Sequence, residues 1–173
     1  MTDLNVCPSC SSTGMSVFYE LDGVPVNSVV LLNTRQEALA YPKGDISLAL
    51  CRNCGFISNV AFDEDLIEYS SRYEATQSYS PTFSAFAHRL ATRLVEQYGL
   101  HNKDIIEIGS GQGEFLTMLC EIGGNRGVGF DPAYVGTRAE SEAADRLTFV
   151  ADFFSEEYAD YRGDFVCCKM TLE

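Results

Sequence analysis

Residues 105–113, Ile-Ile-Glu-Ile-Gly-Ser-Gly-Gln-Gly, constrain this chain more than any other stretch. A short apolar run (Ile105, Ile106, Ile108) leads into glycines at alternate positions, Gly109, Gly111 and Gly113. Phe115, Leu116, Leu119 and Ile122 follow at helical spacing. Glycine has no Cβ, so the backbone can turn sharply there and a ligand can lie directly against the main chain. A strand, a glycine loop and a helix N-terminus in this order predict a cradle for a nucleotide-like cofactor. Turn glycines by themselves also produce such a run.

The spacing narrows the ligand. A dinucleotide fingerprint has a third glycine three positions after the second, where this chain has Glu114. A Walker loop needs Gly-Lys-Ser/Thr, and the loop holds no lysine. Glu107 and Glu114 flank the loop and would repel a pyrophosphate. They suit a ligand with an amine and a sulfonium, such as S-adenosylmethionine.

Two further acids fall where a nucleoside would need them. Gly127-Val-Gly-Phe130 reads as a second strand that ends in Asp131, 18 residues after Gly113. An acid at that strand end can accept hydrogen bonds from a ribose diol. A third strand, Leu147–Ala151, ends in Asp152-Phe153, a carboxylate and an aromatic ring suited to an adenine. Other roles exist for both acids: a turn residue before Pro132 for Asp131, and a helix N-cap for Asp152.

The series Glu-Ile-Gly-Ser-Gly-Gln-Gly, then Gly-Phe-Asp-Pro, then Ala-Asp-Phe-Phe resembles the first three motifs of class I S-adenosylmethionine-dependent methyltransferases. The resemblance implies a Rossmann-like α/β core. In it Glu107, Gly109, Gly111 and Gly113 would meet the methionine moiety, Asp131 the ribose hydroxyls, and Asp152 and Phe153 the adenine.

At 173 residues the chain has room for one ordinary domain or two small ones, and 46% hydrophobic residues support a core. No apolar run reaches the roughly 18 residues of a membrane span, and the N-terminus lacks a basic, apolar signal sequence. A formal charge of −13, with 12 scattered basic residues, argues against a nucleic-acid partner. Seven cysteines without a signal peptide point to a reducing cytoplasm, and to metal or free thiols.

Composition divides the chain into a four-cysteine segment (1–70), a connecting loop and helix (71–99) and a partial Rossmann-like domain (100–173) of alternating strands and helices. In the first segment, Cys7-Pro-Ser-Cys10 and Cys51-Arg-Asn-Cys54-Gly55 are two C-x-x-C knuckles. Four thiolates converging on one ion suit a structural Zn²⁺ with no open position for water. The 40 residues between the knuckles exceed the usual ribbon spacing, so a small β-rich subdomain is expected inside the loop. Ser16–Tyr19, Val29–Leu32 and Ile46–Leu50 are its candidate strands, and Thr34-x-x-Glu37 supplies a capping box for a helix from Thr34 to Ala40. Unliganded buried thiols or a redox pair are the competing readings. Cys120, Cys167 and Cys168 read as core thiols.

Ser80-Pro81 predicts a helix start, and Gly99 its end. Phe83, Phe86, Ala87, Leu90, Leu94 and Tyr98 share one face, expected to pack on the sheet and cover the cofactor site. His88 beside that stripe reads as a surface or satisfied residue. Tyr73 and Tyr79 lie in the preceding loop, where exposed tyrosines are common.

The full order, a four-cysteine zinc segment, a tyrosine-bearing loop, a helix and a methyltransferase core, is similar to the zinc-containing sugar C-methyltransferases of deoxysugar biosynthesis. That resemblance implies a nucleotide-linked keto-sugar acceptor, hence a small-molecule partner. The chain departs from the group at Ala75, where a second tyrosine is usual. It also ends at Lys169-Met-Thr-Leu-Glu173, where the group has a Leu-Glu-His-like motif after its fourth strand. The expectation is therefore the N-terminal half of the core, a piece of a longer enzyme without turnover of its own. No catalytic residue is assigned. Two other readings stand beside this one: a zinc-ribbon interaction module with a degenerate Rossmann half, and a nicotinamide-dependent dehydrogenase disfavoured by the glycine spacing.

Overall fold

The computed structural model describes residues 6–67, 72, 76–136 and 141–171. The chain forms two compact units, Met1–Glu68 and Tyr69–Glu173. Tyr73, Ala75, Leu172 and Glu173 lie outside the described residues.

The first unit is a three-stranded antiparallel sheet in the order β1-β2-β3, formed by β1 (Met15–Pro25), β2 (Lys43–Cys51) and β3 (Ile57–Asn59). β1 carries register shifts between Val17 and Tyr19 and between Leu21 and Val24. Such irregularities bend a strand and spoil its free edge for further pairing. Helix α1 (Arg35–Ala40) begins at a complete capping box: the Glu37 N–H donates to Thr34 Oγ1 and the Thr34 N–H to Glu37 Oε2. The predicted strand Val29–Leu32 does not form; the segment bends and makes only a single-residue bridge at Val30. Pro25 closes β1, and Asn27 donates to the Tyr41 hydroxyl before the segment begins. Among the described residues of this unit, the buried apolar positions are Cys7, Ala49 and Cys51. Two of those three are cysteines of the knuckles, which leaves very little ordinary core.

The second unit is a parallel sheet in the order β6-β5-β4-β7: β4 (Asp104–Ile108), β5 (Arg126–Phe130), β6 (Leu147–Val150) and β7 (Phe165–Cys168). Helices α2 (Pro81–Tyr98) and α3 (Glu114–Gly123) pack on one face with Ile105, Leu147, Phe149, Phe165 and Cys167. α2 starts and stops as its sequence predicts, with Ser80 accepting from the Phe83 N–H and Gly99 in a left-handed conformation at φ 61°. Its buried stripe is Ala87, Ala91 and Val95, whereas Phe86 and Tyr98 of the predicted face are exposed. Small side chains let the helix approach closely; Phe83, Leu90 and Leu94 of the predicted face pack against the core, and the Tyr98 ring still meets Phe165 at 5.7 Å. α3 is seated just as tightly: a Cβ on Gly127 would come within 2.8 Å of Leu116 and 2.9 Å of Cys120.

Asn125 joins α3 to the sheet. Fully buried, it donates to the Leu119 carbonyl at 2.8 Å and accepts from the Lys103 N–H at 2.9 Å. The expected alternation of strand and helix stops after β5. The described connections beyond it hold only 3-10 turns, Ala144–Arg146 and Glu156–Tyr158. The second turn brings Phe154, Tyr158 and Tyr161 around Phe130 on the other face of the sheet, at centroid distances of 5.1, 4.8 and 5.3 Å. Among the described residues, no helix is long and apolar enough to cross a membrane.

Candidate functional site

Both cysteine knuckles adopt the same backbone. The Cys7 N–H donates to the Ser12 carbonyl and the Ser11 N–H to the Cys7 carbonyl; the Cys51 N–H donates to Phe56 and the Gly55 N–H to Cys51. Each turn closes on a left-handed residue, Ser11 at φ 59° and Gly55 at φ 79°. The glycine was legible in the sequence as the turn residue; the serine was not, because a lone Ser is no signal for positive φ.

All four sulfurs lie within 4.8 Å of one another, with Cys7–Cys54 and Cys10–Cys51 at 3.7 Å. A tetrahedron with Zn–S bonds of about 2.3 Å has edges of about 3.8 Å, so the sulfur spacing fits a metal such as zinc and is far too long for disulfides. Without a dication the sulfurs frustrate one another. The Ser12 hydroxyl and N–H draw the Cys10 thiol down to about 5. The Phe56 N–H acts the same way on Cys54, but desolvation and the neighbouring sulfurs outweigh it and push that thiol up to about 11. A bound cation would let all four ionise together.

In the parallel sheet, all strand ends of interest share the carboxyl edge, and the strand order reverses between β4 and β7. Ligands of open α/β sheets bind at such a reversal. Gly109, Gly111 and Gly113 occupy left-handed conformations, at φ 70°, 56° and 86°. A Cβ on Gly109 would overlap the Thr171 side chain, and one on Gly113 the Phe149 ring; above Gly111 nothing lies within 4 Å. The loop is tied to the end of β5 throughout. The Gly109 and Ser110 N–H groups donate to the Phe130 carbonyl at 2.8 and 3.1 Å. Gln112 donates to the Ala133 carbonyl and accepts from the Val135 N–H. This use of Gln112 left no mark in the sequence.

Asp131 bridges the two strand ends, with Oδ2 accepting from the Gly111 N–H and Oδ1 from the Ala133 N–H, both at 2.8 Å. Each oxygen keeps a further acceptor site. It is therefore both the turn residue and a group of the cradle. Glu107 lies beneath the loop, 1% exposed. Its carboxylate accepts from the Leu116 N–H in the first turn of α3, a helix whose N-cap Gly113 offers no side chain. Glu107 Oε2 and the nearby Ser110 Oγ are buried without partners among the described residues. Glu114 accepts from the Thr76 hydroxyl.

Asp152 and Phe153 follow the adjacent strand β6 and are exposed. The Asp152 carboxylate accepts from the Tyr158 hydroxyl at 2.6 Å and from the Phe153 N–H, and these bonds hold it below the usual carboxylate range. Thus the glycine loop and Asp131 are joined through Gly111, Glu107 lies in β4 just before the loop, and Asp152 and Phe153 stand at the next strand end, where Asp152 turns toward Tyr158. Tyr79 and His88 are exposed. Cys120 and Cys167 have thiols pushed up to about 12 by burial, as inert core thiols should.

Burial pushes the Glu107 carboxyl up to about 8, against the attraction of Lys169 and the Leu116 N–H. Its folded value therefore exceeds its ordinary 4.5, and between those limits the folded chain binds more protons than the unfolded one. Stability is then full at acid pH and falls as pH rises through that window, by at most ~1.4 kcal/mol per pH unit. Glu107→Gln keeps an acceptor for Leu116 and removes the titration. Urea unfolding across this window should give a flatter profile for the variant, with its relative gain at the alkaline end. Identical profiles for the two proteins would contradict this assignment.

No protein-family model matches the chain, and a search of curated proteins returned no match.

Proposed function

We propose that the carboxyl edge of the parallel sheet binds S-adenosylmethionine, and that the chain belongs to a methyltransferase acting on a small-molecule acceptor of sugar or nucleotide-sugar type. The four-cysteine unit carries structural zinc in this reading. The Rossmann-like class I core is part of the same proposal, supported by the strand order β6-β5-β4-β7 and its reversal beside the glycine loop.

The observation that carries the reading is the Asp131 bridge: a carboxylate at the end of β5 bonded to the backbone of Gly111, directly beside the open space above that glycine. A nucleoside lying there meets main chain on one side and an acceptor for its ribose hydroxyls on the other. Glu114, Asp131 and Asp152 disfavour a phosphate-rich ligand and favour one with a sulfonium and an amine, while Glu107, its carboxyl pushed up to about 8 by burial, offers hydrogen bonding more than charge. When bound, the cofactor supplies an electrophilic methyl group. The residues of this chain hold and orient it, and orientation is the largest part of the rate for such a transfer.

Titration calorimetry of the chain with S-adenosylhomocysteine and with NAD tests this. Binding of the first and not the second is expected; binding of NAD alone would transfer the site to the dehydrogenase reading. A second reading, a metal-clipped interaction module, draws on the first unit. Its sheet exposes Val17, Tyr19, Leu21 and Ile57, and a cavity of about 430 Å³ there is lined by Met15, Val17, Glu20, Asp22 and Asp45. Binding of neither nucleotide would favour it.

A further inference from the structure

The acids of the carboxyl edge explain an affinity for cationic groups, and they leave a carboxylate on the same ligand unanswered. Lys169 is the cation beside the glycine loop on that edge. It follows β7 immediately, one residue beyond the Ile108–Cys168 pair, so it lies level with Gly109 at the reversal of strand order. Its ammonium rests near two aromatic faces, 5.3 Å from the Phe115 centroid and 6.0 Å from that of Phe83. Aromatic faces orient a cation without neutralising it, and Lys169 forms no ion pair among the described residues. By contrast, Lys103 and Arg126 at the opposite edge are paired with Asp164 and Asp104.

Two more features mark the surroundings of this lysine. Glu107 Oε2 and Ser110 Oγ, both buried and unpartnered, lie beneath the neighbouring loop. Met170 takes a left-handed φ of 56°, unusual for a long side chain. That turn sets the Thr171 side chain against Gly109, so the segment after β7 touches the cofactor loop directly.

We propose that Lys169 binds the α-carboxylate of the amino-acid portion of the ligand, and so makes the site selective for nucleosides that carry an amino acid over those that do not. This rests on the S-adenosylmethionine reading and adds a specificity residue to it. The ammonium donates to the carboxylate in a partly buried setting between two rings, where a charge-assisted hydrogen bond is stronger than at an open surface.

The test compares S-adenosylhomocysteine with 5′-methylthioadenosine, which shares the thioether nucleoside and lacks the amino acid. The wild-type chain should bind the first about tenfold or more tightly than the second. Lys169→Met should remove that preference by weakening S-adenosylhomocysteine alone, and Lys169→Arg should keep most of it. Equal wild-type affinity for the two ligands would overturn the proposal without variants, so a folding defect cannot mask the answer. A Lys169→Met protein that loses both ligands equally, or that retains the preference, would overturn it as well. If the wild-type chain binds neither ligand, the cofactor reading fails and the assignment of Lys169 fails with it. Binding of both with no preference defeats Lys169 alone.

Discussion

With the proposed structural zinc stripped from the four-sulfur cluster, the first unit is expected to unfold while the second retains its own sheet and helices. The reason is the distribution of buried residues. Among the described positions of the first unit, only Cys7, Ala49 and Cys51 are buried apolar residues, so the cluster occupies the place of a core. A segment of this size seldom folds on so little apolar burial without a staple. Structural zinc contributes on the order of 10 kcal/mol to folding in comparable small sites, more than such a unit can lose. Elemental analysis should find one zinc per chain. Chelation should collapse the amide resonances of 6–67 and spare those of 76–136. Cys51→Ser should behave in the same way, because Cys51 also ends β2 and its N–H closes the second knuckle on Phe56. A metal-free protein with unchanged resonances in the first unit would show that the sulfurs merely lie close together.

The second large effect separates two glycines of the same loop. At Gly113 an alanine Cβ would strike the Phe149 ring, which is itself stacked on Tyr134 at 4.5 Å. It would also have to adopt φ 86°. Left-handed strain and overpacking together are expected to cost about 2–5 kcal/mol, read as a lower urea midpoint for the second unit. Gly111 shares the positive φ, but nothing lies within 4 Å of its missing Cβ. Alanine there should cost only the conformational part, about 1–2 kcal/mol. The methyl group would instead stand in the space assigned to the ligand, so Gly111→Ala should weaken S-adenosylhomocysteine far more than it weakens the fold. Equal losses of stability at the two positions would refute this division of roles.

Where the sequence was readable, a short-range rule applied. The capping box of α1, the Ser80 N-cap and Gly99 end of α2, and the two C-x-x-C turns each involve residues within five positions of one another, so local chemistry decides them. The strand ends carrying Gly109, Asp131 and Asp152 were legible for a similar reason, since each apolar run stops at a turn residue. What failed depended on packing. On α2, Phe83, Ala87, Leu90 and Leu94 face the core as expected, and only the exposure of Phe86 and Tyr98 depends on how the helix sits on the sheet, which no hydropathy pattern encodes. Val29–Leu32 has the composition of a strand, yet its pairing is a single-residue bridge at Val30. The turn of Asp152 toward Tyr158 needed the segment 153–163 folded back across Phe130. Gln112, Asn125 and Lys169 act through partners 20 or more residues away, and nothing in their neighbourhoods announces it.

In the proposed function, the loop 109–113 and the ends of β5 and β6 form one crevice for a sulfonium nucleoside. Hydrogen exchange of the whole chain, with and without saturating S-adenosylhomocysteine, tests it most directly. The expected result is slowed exchange confined to peptides covering 107–116, 131–135 and 150–154, with the first unit unchanged. Protection located elsewhere, or none at all under saturating ligand, would contradict the account.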